Sequence, residues 1–124
     1  MIINLMSAIT LFLILSFTTR DISFDDYVET EIPYLKELYI DIHKNPEISL
    51  MERETSKKLA SELSKVGFEV EENFGGYGIV GILKNGDGPT ILYRTDMDAL
   101  PMEEKTGLPY ASKVITKNFD GNDV

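Results

Sequence analysis

"VGFEVEENFGGYGIVGILKNGDGPTILYRT", Val66 to Thr95, is where the chain changes its period. From Phe68 onward apolar residues alternate with acids, and "FEVEE" (Phe68 to Glu72) reads as a half-buried strand. Gly75-Gly76 breaks it, and "GIVGILK" (Gly78 to Lys84) reads as a second strand. "NGDG" (Asn85 to Gly88) predicts a hairpin turn, because Asn and Gly accept positive φ. Pro89 fixes the exit, and "TILYRT" (Thr90 to Thr95) predicts a third strand that ends at an acidic loop.

Upstream of this stretch the spacing is helical. Leu35, Leu38, Tyr39 and Ile42 fall at i, i+3, i+4 and i+7, which makes one apolar stripe. "SFDDYVET" (Ser23 to Thr30) leads into this helix. Pro33 is best tolerated in a first turn, so the firm helix is expected to start near Thr30 or Glu31. Asn45-Pro46 ends it. Ser49 and Glu52 have the spacing of a capping box, which predicts a second helix whose Thr55, Leu59, Leu63 and Val66 share one face. Gly67 suits its left-handed C-terminus. Two helices followed by a hairpin-containing sheet predict an α/β layer with both helices packed on the sheet.

The 124 residues allow one domain at most. A net charge of -9 argues against nucleic-acid partners, which need clustered Lys and Arg, and against electrostatic binding to a membrane surface. With no cysteine, disulfides and thiolate chemistry are excluded. Residues 2–17, "IINLMSAITLFLILSF", carry no charge. Residues 1–19 therefore read as a signal peptide or membrane anchor, too short for a comfortable span. The expected location is secreted, in the secretory pathway or membrane-anchored, with membrane contact only through residues 2–17. A misassigned start would make it cytoplasmic.

"RTDMDALPMEE" (Arg94 to Glu104) gathers Asp96, Asp98, Glu103 and Glu104. As extended residues two apart, Asp96 and Asp98 would face one cleft, and loops after sheet strands are where α/β proteins place function. A calcium loop of the EF-hand kind fails, because its sixth position needs Gly and holds Pro101. "GGYG" (Gly75 to Gly78) lacks the spacing of a phosphate cradle, and Ser112 sits in no nucleophile elbow. A zinc site needs about three good ligands, and the single histidine, His43, reads as hydrogen-bonded at a helix end. From the residues alone, the acidic loop is either part of a metal site or a solvated turn.

"LYIDIHKNPEISLMERETS" (Leu38 to Ser56), Val66 to Ser112 and "FDGNDV" (Phe119 to Val124) together resemble the N-terminal portion of the metal-dependent amidohydrolases. This family includes hippurate hydrolase and the N-acyl-amino-acid and indole-acetyl-amino-acid hydrolases of the aminoacylase/carboxypeptidase class. The resemblance implies an incomplete zinc-peptidase-like catalytic domain over residues 20–124, truncated before the metal-ligand motif. It implies hydrolysis of an N-acyl amino acid or small peptide with a divalent metal, Zn or Mn, in the full-length family. It also implies that this chain alone is inactive and binds no metal tightly. "DALP" (Asp98 to Pro101) matches the Asp-x-x-Pro part of a family motif, which gives Asp98, and then Asp96, the role of orienting ligands from behind. His43 matches a characteristic position to which no catalytic role is attached. A short non-catalytic binding or regulatory module derived from such an enzyme is the rival reading, and self-association is left open.

Overall fold

A computed structural model describes residues 23–124. The signal or anchor reading of residues 1–19 lies outside the described residues. Helix α1 runs over Phe24–Lys44, α2 over Arg53–Lys65, strand β1 over Glu69–Phe74 and β2 over Gly78–Ile82. The strands form one two-stranded antiparallel sheet, so the α/β class holds. Among the described residues no helix is long and apolar enough to cross a membrane.

Helix α1 starts earlier than the sequence predicts. Ser23 Oγ accepts the Asp26 N–H at 3.1 Å, and Asp25 and Asp26 sit in a first turn whose dipole favours acids. That start carries the helix past Pro33, which stands inside it. The proline removes one backbone N–H from the ladder, and the helix continues on both sides. Of the expected stripe, Leu38 and Ile42 are half-buried, while Leu35 and Tyr39 are exposed.

The capping box at Ser49 and Glu52 does not form. Glu52 turns back to accept the Leu50 N–H at 2.9 Å, and Leu50 takes a positive φ of 63°. The start of α2 is capped from further away, by Glu47: its carboxylate accepts the N–H groups of Glu54 at 3.1 Å and Thr55 at 2.7 Å. Partial burial pushes the Glu47 carboxyl up, but these backbone donors outweigh it and hold the group below its usual range. Glu47→Ala is expected to cost about 1 kcal/mol, the usual worth of a helix cap, read as a lower denaturant midpoint. Because the folded pKa is depressed, this contribution is present at neutral pH and fades as Glu47 protonates in acid.

The other end of α2 behaves as expected. Gly67 takes φ 90°, its N–H bonds Ser64 O at 3.1 Å, and the Phe68 N–H bonds Leu63 O at 3.1 Å. This double closure satisfies the last carbonyls and turns the chain directly into β1. Helix α2 packs on both strands, with the small residues Thr55, Ser56 and Ala60 buried. Helix α1 is held to α2 by polar contacts. Tyr34 Oη donates to Glu62 at 2.6 Å and accepts from Lys65 at 3.0 Å, and Lys58 pairs with Asp41. The Glu62 carboxylate and Tyr34 hydroxyl raise the Lys65 pKa to about 12.

The hairpin is not where "NGDG" predicts it. Gly75 and Gly76, expected only to break a strand, make the turn with φ 67° and 121°, and a bulge between Glu72 and Phe74 places Asn73 at φ 63°. The predicted strand Thr90–Thr95 does not form: Ile91, Leu92 and Tyr93 are each 88% exposed. A strand is made by hydrogen bonds to a neighbour, and the sheet holds only β1 and β2 among the described residues, so this apolar run has no ladder there.

Candidate functional site

The acidic loop is tied to the corner between the two helices. Ala99 N–H donates to Glu47 O at 2.8 Å, and Ile48 and Ala99 form an isolated parallel bridge. This corner belongs to the most buried part of the described chain: Ile48, Glu52, Thr55 and Ser56 are all buried. Asp98, one residue before Ala99, is thereby presented from a fixed backbone while its own side chain is exposed. Asp96 is exposed too, and Arg94 donates to it at 2.7 Å. So open an ion pair contributes little, since water screens both partners.

The adjacent acids Glu103 and Glu104 part company. Glu103 faces solvent and pairs with Lys105 at 3.0 Å. Glu104 turns inward, where His43 Nε2 stands 3.0 Å from both of its carboxylate oxygens. The Thr106 hydroxyl donates to Oε1, and the Ser112 N–H donates to Oε2 at 2.6 Å. The Thr106 hydroxyl, His43 and the Ser112 amide together pull the Glu104 pKa down to about 2. An ionised carboxylate only accepts, so Nε2 is the protonated ring nitrogen of His43. Tyr110 stacks edge-on against His43 with ring centroids 5.5 Å apart, and Tyr39 lies 5.8 Å away on the helix side.

His43 is therefore a histidine hydrogen-bonded at a helix end, as its sequence context suggests. Sequence reading missed its partner, and also missed Glu47 as the cap of α2. His43 and Glu104 are 61 residues apart, so no local pattern could have linked them. The pair carries a pH signature. The folded Glu104 pKa lies below the ordinary 4.5, so its stabilising contribution is complete above about pH 4.5 and is lost as pH falls toward about 2. The protection factor of the Ser112 amide, which is corrected for the intrinsic fall of exchange with pH, is expected to drop down that range as Glu104 protonates; an unchanged protection factor at pH 2 would count against the contact.

Beside the loop lies a broad open groove of about 1010 Å³, with Ile48, Leu100, Met102, Leu108 and Ile115 among its apolar lining and Glu104 at its wall. Among the described residues no three His, Asp or Glu side chains gather as a metal would need. Asp96 and Asp98 are thus two carboxylates without the rest of a ligand set, and the residues present do not make a metal centre.

No family model matches the chain. Hippurate hydrolase of Campylobacter jejuni is 49% identical to it over 73 residues, which cover 58% of this chain and 19% of that protein. Thermostable carboxypeptidase 2 of Saccharolobus solfataricus is 48% identical over 75 residues, 59% of this chain and 19% of its own. A solved Bacillus subtilis structure, described as a dinuclear metal-binding peptidase of the M20 family, matches with TM-score 0.62 and 38% identity over 69% of this chain and 24% of its own. The chain spans about a fifth of the length of the curated relatives it matches. The resemblance carried by the motifs is borne out by these relatives, and the α/β class by the solved neighbour.

Proposed function

We infer that this chain, a relative of the metal-dependent amidohydrolases, builds part of a hydrolase that cleaves the amide bond of N-acyl amino acids or small peptides. The observation that carries the reading is the 49% identity to a hippurate hydrolase, an enzyme named for an acyl group in amide linkage to glycine. The part supplied by residues 23–124 is a frame. The corner at Glu47 and Ile48 anchors the loop, and Asp98 stands exposed one residue from that anchor. No step of the hydrolysis is assigned to the described residues themselves.

Two assays test this. The chain alone, supplied with Zn or Mn and hippurate, is expected to release no glycine. A chimera in which residues 38–112 replace the matching segment of the Campylobacter enzyme is expected to keep hydrolysing hippurate. A folded but inactive chimera would overturn the reading. The absence of a ligand set among the described residues favours one second reading, a non-catalytic module. Calorimetric binding of an N-acyl amino acid by the chain alone, without turnover in the chimera, would support that instead.

The uncharged run at residues 2–17 supports a further proposal, that the chain is directed to the secretory pathway. A reporter fused behind residues 1–19 is expected to enter that pathway; retention in the cytosol would refute it.

A further inference from the structure

We propose that His43 and Glu104 are positioning residues, a clasp that sets the loop presenting Asp98 and so tunes the reaction without touching the substrate. The proposal rests on the hydrolase reading above, and it gives a role to the histidine that the sequence leaves without one.

The argument is one of constraint. The loop from Asp98 to Glu104 is pinned at two points, and both pins reach the same corner. At one end the Ala99 N–H is bonded to Glu47 O at 2.8 Å. At the other, Glu104 is bonded to His43 Nε2 at 3.0 Å. His43 stands in the last turn of α1, and Glu47 follows it after only Lys44, Asn45 and Pro46. A loop held at both ends by one rigid corner has few alternative shapes, and the exposed Asp98 inherits that fixity. With the Glu104 end released, Ala99 alone would hold the loop by a single backbone bond.

The chemistry of the clasp requires a carboxylate. Three donors converge on two oxygens: His43 on both, Thr106 on Oε1 and the Ser112 amide on Oε2. A carboxamide offers one oxygen and one NH2, so Gln at this position turns a donor against a donor. The imidazole is held in register by Tyr110, edge-on at 5.5 Å, and by Tyr39. Tyr110 lies on the same loop segment that Ser112 N–H and Thr106 close around Glu104. The clasp thus fastens residues 104–112 to α1 through polar and aromatic contacts together.

The test has two stages. In this chain, amide exchange at Ser112 is measured for the parent and for Glu104→Gln. Loss of protection in the variant is expected, and unchanged protection overturns the clasp. In the chimera carrying residues 38–112, His43→Ala, Glu104→Gln and the double variant are compared by kcat, KM and thermal midpoint on the folded protein. Each single variant is expected to lower kcat about 10-fold with KM nearly constant, and the double to lose no more than the worse single, because the two act as one unit. His43→Gln, which keeps a donor on a side chain of similar reach, is expected to recover part of the loss. A lower thermal midpoint with unchanged kcat would make the clasp a purely structural contact and overturn the proposal. If the parent chimera is itself inactive, the hydrolase reading fails, while the exchange result on this chain still reports on the contact.

Discussion

Asp98→Ala, made in the chimera carrying residues 38–112, is expected to reduce turnover of hippurate by about 10–100-fold, the usual cost of losing a group that orients a ligand from behind. The residue is exposed in the described chain, and nothing among those residues bonds its side chain. Its loss should therefore leave the stability of this chain within about 0.5 kcal/mol of the parent, as at other exposed sites without partners. That contrast between lost turnover and kept stability separates an orienting role from a structural one. Asp96→Ala is the companion measurement. Asp96 has an exposed partner in Arg94 at 2.7 Å, which is too open to be worth much, so any large effect on turnover would come from the site and not from that ion pair. Unchanged kinetics for both variants would remove the loop from the mechanism and leave it a solvated turn.

The second large effect is on folding. Gly78→Ala is expected to cost about 3 kcal/mol, enough to open the hairpin in a chain with so little buried core. A Cβ built at Gly78 would fall inside the contact distance of the Phe74 carbonyl oxygen, the residue it pairs with across the turn. Backbone cannot move aside as a flexible side chain can, so relief comes only by breaking the pairing beside the Asn73 bulge. Gly86→Ala is the control. Its φ of 89° makes alanine strained, but nothing lies within 4 Å of the added carbon, and its cost should stay near 1 kcal/mol. Urea titration followed by circular dichroism reads both. A Gly78 variant no weaker than the Gly86 variant would show that the close approach at Phe74 is not fixed.

Some readings needed no structure. Helical spacing located both helices, Gly67 ended the second, and the alternation in "FEVEE" and the apolar run "GIVGILK" located both strands, because side-chain period and positive φ are properties of neighbours in sequence. The motifs from Leu38 to Ser112 also carried the kinship, since they run in order along the chain. Other features could not be read this way. The hairpin turns at Gly75-Gly76 and not at Asn85-Gly86, because turn chemistry permits a hairpin wherever it occurs, and only the pairing of two particular strands selects one. The run Ile91-Leu92-Tyr93 has every local mark of a strand and no partner among the described residues, for the same reason. Glu47 displaced the expected capping box, and Glu104 found His43 across 61 positions, because a carboxylate takes whichever donors the fold brings to it. The sequence by itself thus determined the class, the presence of the two helices and the two paired strands, and the family likeness, which rest on short-range periodicity and ordered motifs. Only the tertiary structure decided which strands pair and which acids are anchored, since both depend on contacts that short-range spacing cannot encode.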